Sequence, residues 1–590
     1  MSPAPNDALA AAQERYAAER AKRIRNHGLS QYVVLEDEHE GFDRDPWANS
    51  PREEAPVFAE TDVVILGGGF SGMFTAIGLA KRGVTNFRII EKGADFGGTW
   101  YWNRYPGCRC DVESYIYMPL LEETGYMPTE RYTRASEIFE HCQRIGQQFK
   151  LYPHALFQTE VDTATWLEDE HRWRIITSQG DEIRCRFFVT AGGILNKAKL
   201  PAIAGIEQYK GTTFHTARWN YGYTGGGPTE PMTNLADKRV GIVGTGATAV
   251  QLVPELARDA KELLVFQRTP SPIAARGNGP TDVEWFNSLE PGWQRDRTRN
   301  FTAAVTGEQP EVNLVEDAWT DVMWDNTQRP AASPEDQRAL DQLDFDVMQQ
   351  LRDRVDAEVN DPATAESLKP WYAKYCKRVC FHDDYLATFN EPNVHLIDTD
   401  GVGVTEIGRQ GPIVGDTEYP VDVLIFASGF EVTTGLVRRL GFDPVGRDGL
   451  ALSERWSDGP HTLHGIMTAG FPNLLVLGTA QASAASNFVH FLSESSAHIA
   501  AVIARCQDDG IIEIETNPDA EDEWLYFLWG KAGEAGSYSS TCTPGYMNAE
   551  GEATRATARS VVHPGNVAHY SVLVADWLAT PELPGVTVTK

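Results

Sequence analysis

The stretch "TDVVILGGGFSG", residues 61–72, with the "MFTAIGLAKRG" that follows it, sets the architecture of the chain. A β-branched run enters Gly67-Gly68-Gly69-Phe70-Ser71-Gly72, and a segment of helical period leaves it. Strand, glycine turn and helix in that order open a dinucleotide-binding unit. Gly67 suits the tight turn, Gly69 lets a pyrophosphate approach the backbone beside Ser71, and Gly72 permits close helix–strand packing. The eighteen residues from Val63 to Ala80 carry no charge and reach transmembrane length. Their three successive glycines read instead as strand, turn and helix start.

A second strand, "FRIIE", ends at Glu91, where a carboxylate can accept a hydrogen bond from a ribose hydroxyl. The same architecture recurs in "KRVGIVGTGATAVQLVPELA", with Gly244-Thr245-Gly246-Ala247-Thr248-Ala249 at its turn. Ala249 replaces the third glycine and is still small enough for close packing. The next strand, "ELLVFQRT", ends in Arg268-Thr269 rather than an acid, and an arginine there suits a 2′-phosphate. A carboxylate-ended site followed by an arginine-ended one points to FAD and NADPH, a flavoprotein that receives hydride from a nicotinamide.

The expected fold is therefore α/β, with two Rossmann-like domains. Runs ending in Gly192-Gly193 and in Ser428-Gly429 flank the second unit, so the NADPH domain, residues 195–425, is expected to be inserted into an FAD domain made of residues 61–194 and 426–590. Charged helix formers such as "PEDQRALDQLDFDVMQQLRDRVDAEV" mark a helical subdomain over about 271–370. Residues 1–60 read as a polar, partly helical extension ending in a proline-marked linker.

Composition narrows the function. In 590 residues, Lys+Arg 52 against Asp+Glu 83 leave a net charge of -31, which argues against nucleic acid or an anionic membrane surface as the main partner. Any phosphate-bearing ligand needs a local basic site. The eight cysteines form neither a CxxC pair nor a Cys/His cluster at zinc spacing, so no metal is expected. They read as free thiols in a reducing compartment. The charged N-terminus lacks a signal-peptide pattern, and a cytoplasmic location without membrane insertion is expected.

Three flavin chemistries remain: disulfide reductase, monooxygenase and a non-catalytic NADPH sensor. Cys108 and Cys110, one residue apart, are poorly spaced for a redox disulfide, and a sensor has no reason to carry both cofactors. The loop "GGTWYWNRYPGCRCD", residues 97–111, decides among them. It resembles the fingerprint [AG]GxWxxxx[FY]P[GM]xxxD of type I Baeyer–Villiger monooxygenases. "YKGTTFHTARWN", residues 209–220, resembles their second fingerprint at Gly211, His215 and Trp219 and departs from it at Tyr209 and Asn220. The similarity runs from about Thr61 to at least Asn548.

The resemblance implies oxidation of a ketone by molecular oxygen, through a flavin C4a-peroxide, to an ester or lactone. Heteroatom (S/N) oxygenation by the same flavin chemistry is the alternative. The cation that stabilises the peroxide is implied to be Arg378, in "YAKYCKRVC", with Lys377 joining Arg268 and Thr269 at the NADPH phosphate. Asp111 is expected to hold Arg378 in place; an N-cap for the segment after it is the plainer reading. Gly98, Thr99, Trp100 and Tyr117 are implied to contact FAD, with Trp100 and Tyr105 as a water-excluding wall. Arg109 is expected at a phosphate or the nicotinamide. His215 reads as a domain-positioning residue, and motion across the two crossings is expected to gate turnover. "SSTCTPGYMNAEG", residues 539–551, resembles the variant loop of relatives acting on bulky ketones, which implies a large, apolar substrate such as a macrocyclic ketone.

Overall fold

Val63, Val64 and Ile65 are fully buried at the centre of the strand Phe58–Leu66, as expected where a parallel sheet is covered on both faces. The computed structural model describes residues 5–25, 28–33, 41–42, 44–48, 50–325, 331–532 and 541–590. Phe58–Leu66 pairs in parallel with Phe87–Ile90 on one side and Glu182–Thr190 on the other. The sheet continues through Arg172–Thr177 and Val161–Leu167, which are antiparallel. Leu474–Val476, nearly three hundred residues further along the chain, adds in parallel beside Glu182–Thr190.

A second sheet of five strands is parallel throughout. Its order is Val394–Asp398, Glu262–Gln267, Arg239–Val243, Val423–Phe426 and Thr212–His215. Each sheet carries one glycine turn at the carboxyl end of a central strand, and the two turns repeat each other closely. Gly67 (φ 110°) and Gly244 (φ 113°) both adopt positive φ. A Cβ at either would stand 2.6 Å from a backbone carbonyl, of Ala191 and Ala427 respectively. Only glycine meets both demands. The helices that follow, Phe70–Lys81 and Ala247–Asp259, pack on their sheets, and Phe488–Asp508 lies against the first of them, with Ser496 Oγ donating to the Ser71 carbonyl at 3.1 Å.

Between the strands Glu262–Gln267 and Val394–Asp398 the chain is mostly helical: Val283–Asn287, Trp293–Val305, Ala318–Met323, Pro334–Glu358 and Pro362–Leu368. The last two each begin with proline behind a capping side chain, Ser333 and Asp361. The two crossings between the sheets lie side by side: Lys199 N donates to the Gly429 carbonyl at 2.9 Å and Glu431 N to the Lys197 carbonyl at 3.0 Å. His215, at the end of its strand, accepts from Ala217 N at 3.1 Å. No helix among the described residues is long and apolar enough to cross a membrane, and no group of His, Cys, Asp or Glu among them is arranged to hold a metal ion.

One expectation is corrected. The cysteines are not all free: Cys376 and Cys542 form a disulfide, leaving six buried thiols. Their sequence separation of 166 residues hid the pair, because only the fold brings the C-terminal loop onto the segment before Lys377. With a disulfide present, the cysteines no longer point to a reducing compartment. In the N-terminal segment the expected helix forms. The helix Pro5–Arg23 runs onto the second sheet's side of the molecule, and Arg23 Nε donates to Thr269 Oγ1 at 3.0 Å and to the Arg268 carbonyl at 3.1 Å.

Candidate active site

A crevice of about 2510 Å³ runs between the two glycine turns and is lined by Gly67, Glu91, Tyr117, Gly244, Arg268 and Arg378 among others. It opens at the carboxyl ends of the parallel strands, where open α/β sheets bind ligands. Gly69 and Gly246 each occupy the N-cap of the following helix in nearly identical geometry (φ -77°, ψ -172° and φ -79°, ψ -173°), without a side-chain cap. Each helix thus presents uncapped first-turn N–H groups and the positive end of its dipole, the requirements of a phosphate site. A Cβ at Gly246 would meet nothing within 4 Å, so the backbone there is open to close approach.

At the first turn Glu91 is buried and accepts from Gly68 N and Gly93 N, both at 2.6 Å. Burial raises its carboxyl above the usual range, and the two backbone donors oppose that shift. Gly97-Gly98 lie directly against this turn: a Cβ on Gly98 (φ 51°) would stand 2.8 Å from Gly69 Cα. The paired glycines that open the 97–111 loop therefore let it close over the phosphate turn. Thr99 begins the short helix Thr99–Trp102, and Trp100 stands edge-on to Tyr117, ring centroids 5.5 Å apart. Ser71 turns inward and donates to the Ala191 carbonyl at 3.0 Å. These residues fit an FAD: an uncapped helix end for its phosphates, an acid for its ribose and an aromatic wall.

The loop ends at Asp111, which is 3% exposed and carries two guanidinium groups. Arg276 Nη2 donates to Oδ1 at 2.6 Å and Arg378 Nη2 to Oδ2 at 3.0 Å. Gln251 Nε2 adds a third bond at 3.2 Å, and Trp319 Nε1 donates to the Asp111 carbonyl at 2.8 Å. The N-cap reading of Asp111 is corrected: the helix Ser114–Tyr117 starts behind Glu113, without a side-chain cap. Arg378 keeps 38% of its side chain open, and that surface faces the crevice. Enclosure disfavours its charge, but Asp111 outweighs this and the guanidinium pKa is raised. It is a permanent cation, with the Trp319 ring 6.0 Å away.

Cys108 and Cys110 are buried and unbridged. Burial pushes the Cys108 thiol up to about 12 and raises Cys110 as well, which makes both poor thiolates and removes the disulfide-reductase reading. Arg109 lines the crevice, and its guanidinium pairs with Glu130 and donates to the Tyr132 carbonyl at 2.7 Å. Tyr105 OH donates to Gln251 Oε1 at 2.9 Å, which ties the loop to the helix Ala247–Asp259.

At the second turn Thr245 Oγ1 donates to the Thr269 carbonyl at 2.7 Å, so the turn and the end of the strand Glu262–Gln267 hold each other. Ala247, Thr248 and Ala249 form the first turn of the helix beyond. Arg268, Lys377 and Lys199 converge beside it on the crevice wall. Lys377 is held by the Pro544 carbonyl at 3.1 Å, and burial, helped by Arg268, pushes its ammonium down to about 7. Two hydroxyl-bearing turns and a convergent cation group fit a 2′-phosphorylated nucleotide. Arg276, Trp319 and Lys199 lie in segments without a motif, and Gln251 and Glu550 at positions within quoted motifs that no pattern marks; all five reach the site only through the fold.

Residues 65–128 match the NAD(P)-binding Rossmann-like domain family. The chain is 46% identical over 585 residues to a Baeyer–Villiger monooxygenase of Stachybotrys chlorohalonatus, covering 98% of this chain and 94% of that one. It is 44% identical over 588 residues to neopentalenolactone D synthase of Streptomyces avermitilis, covering 98% of each. In structure it superposes on the polycyclic ketone monooxygenase of Thermothelomyces thermophila with a TM-score of 0.91 at 38% identity, over 99% of both chains. With similarity of this degree spanning fold, crevice and both fingerprints, the chain belongs to the Baeyer–Villiger monooxygenases.

Proposed function

We propose that the enzyme uses NADPH and molecular oxygen to convert a bulky ketone, macrocyclic or polycyclic, into an ester or lactone, with Arg378 and Asp111 as its central side chains. Bound FAD, once reduced by NADPH, supplies the oxygen-activating chemistry. Around it, Arg378 offers a fixed positive charge to the negative charge that develops on oxygen during the reaction. Asp111 orients that guanidinium and lowers the cost of enclosing it beside Arg276. Trp100, Tyr117 and Trp319 keep water from the crevice. Arg268, Thr269 and Lys377 take the NADPH phosphate. The FAD domain is assigned to 61–194 and 426–590, the NADPH domain to 195–425 with its helices at about 271–370, and residues 1–60 to a flank of the NADPH site.

The observation that carries this reading is the Arg378–Asp111 pair on the crevice wall, with the open side of Arg378 facing inward. The names of the relatives, a polycyclic ketone monooxygenase among them, support a large substrate. The test incubates wild-type and Arg378→Ala holoenzyme with NADPH, oxygen and a panel of small, polycyclic and macrocyclic ketones and a thioether, and identifies products by mass. Wild type is expected to add one oxygen atom to the larger ketones. The variant is expected to consume NADPH yet lose ester formation by at least about a hundredfold, the scale of one oxyanion-stabilising donor. Wild-type-like ester yield from the variant would remove Arg378 from the mechanism, and turnover of small ketones alone would remove the bulky-substrate assignment.

A further inference from the structure

The cation group beside the second glycine turn already holds an anion, and that anion belongs to the protein. Glu550 is 5% exposed. Its Oε1 accepts from Lys199 Nζ at 2.9 Å and from Tyr32 OH at 2.9 Å, and its Oε2 accepts from Arg268 Nη2 at 3.1 Å. Burial opposes the charge of this carboxylate, but Lys199 and Arg268, with Lys377 behind them, hold it down at about 2. Arg268 is the residue assigned above to the NADPH 2′-phosphate.

We propose that Glu550 is a built-in anion occupying the 2′-phosphate subsite of the free enzyme, so that NADPH binds by displacing this carboxylate together with the loop that carries it. The inference rests on the assignment of Arg268 and Lys377 to that phosphate. A phosphate and a carboxylate cannot share one small cation group, because two anions in contact repel strongly in an enclosed site. Without either anion, the buried Lys199 and the partly enclosed Arg268 would lose their counter-charge beside Lys377. An internal anion is thus what the free site requires and what the bound site must expel.

The loop is built for such a move. Its base is pinned by the Cys376–Cys542 disulfide, while Ala549, Glu550 and Gly551 run at φ 49°, 57° and 83°. Two non-glycine residues in succession in the left-handed region are costly, and their own contacts maintain the conformation. Tyr546 and Met547 of the same loop line the crevice that Arg378 faces. Displacing Glu550 therefore also changes the wall seen by the ketone, which couples nucleotide occupancy to the shape of the substrate site.

The test uses flavin-loaded enzyme and two nucleotide fragments, 2′,5′-ADP and 5′-AMP, titrated calorimetrically. Glu550→Gln keeps the shape and removes the charge. It is expected to bind 2′,5′-ADP about tenfold more tightly than wild type, because the free site no longer spends most of its time self-occupied, and to bind 5′-AMP unchanged. Unchanged or weaker 2′,5′-ADP binding overturns the proposal. Hydrogen exchange of wild-type residues 543–552 gives an arm that needs no variant: faster exchange with 2′,5′-ADP but not with 5′-AMP is expected, and unchanged or slower exchange counts against displacement. Arg268→Ala separates the two levels of the argument. If it binds 2′,5′-ADP as well as wild type, the phosphate assignment itself fails. If it loses its preference for 2′,5′-ADP over 5′-AMP while Glu550→Gln gains nothing, the assignment stands and the built-in anion is refuted.

Discussion

Lys377 is a base held where a proton is hard to keep. Its ammonium is pushed down to about 7 by enclosure and by Arg268, so near neutral pH the free enzyme carries it partly neutral. A phosphate placed beside it favours the charged form and raises that pKa. Nucleotide binding is then complete below about pH 7 and weakens as pH rises above it, with net proton uptake near pH 8. Calorimetry of NADP⁺ binding in buffers of different ionisation enthalpy is expected to register that uptake, and 5′-AMP, lacking the second phosphate, is expected not to. Proton release, or an affinity flat from pH 6 to 9, would contradict the assignment. The same depression means that unfolding takes up a proton between about 7 and 10.5, so Lys377 destabilises the free fold least at high pH. At this scale the motif-bearing side chains were legible: Glu91, Asp111, Lys377 and Arg378 all reach the crevice. Arg276 was not legible, because its bond to Asp111 joins residues 165 positions apart in a loop without a pattern.

The two glycine turns are alike as elements but differ at their third small residue. A Cβ on Gly72 would fall 1.8 Å from the Gly67 carbonyl oxygen, whereas Ala249 already carries one at the equivalent place and is fully buried. The first helix therefore sits closer to its strand than the second does. Gly72→Ala is expected to push the helix off the turn, at a cost of about 1–3 kcal/mol for an overpacked contact, and to yield protein depleted in FAD. Ala249→Gly is expected to cost at most about 1 kcal/mol and keep full flavin content. The ratio of flavin to protein absorbance after purification checks both, and a flavin-replete Gly72→Ala would show that the close approach is dispensable. The sequence patterns identified these turns because strand, glycine spacing and helix are local. The Cys376–Cys542 bridge and the docking of the helix Pro5–Arg23 are contacts between distant elements and left no local trace.

At the scale of the whole molecule, burial disfavours ionisation of several described histidines, five of them strongly. Burial lowers His141, His382, His490 and His498 to about 4 and His464 to about 3. His464 and His498 face one another within a cluster that includes Trp577. A histidine neutral in the fold and protonated when unfolded contributes stability above its unfolded pKa of about 6.5 that is lost as pH falls toward the folded value. Glu521, raised to about 7 by burial, acts in the opposite direction, as do Glu91, Glu113 and Asp317, whose carboxyls burial also raises. Urea midpoints are expected to drop steadily from pH 6.5 to 4, and replacing His464 by a neutral residue of similar size, such as Gln, to flatten the curve. A midpoint constant over that range would mean that these side chains are solvated.

The amino-acid sequence by itself determined the two Rossmann-like units, the order of their glycine turns and the family, because short-range periodicity and fixed motif spacing encode them. It also carried the identity of Asp111 and Arg378. The tertiary structure alone decided what surrounds them: the second guanidinium on Asp111, the disulfide at the base of the C-terminal loop, and Glu550 between Lys199 and Arg268. Those contacts join segments more than a hundred and fifty residues apart. Electrostatic and packing energies depend on distance in space, and distance along the chain carries almost no record of it.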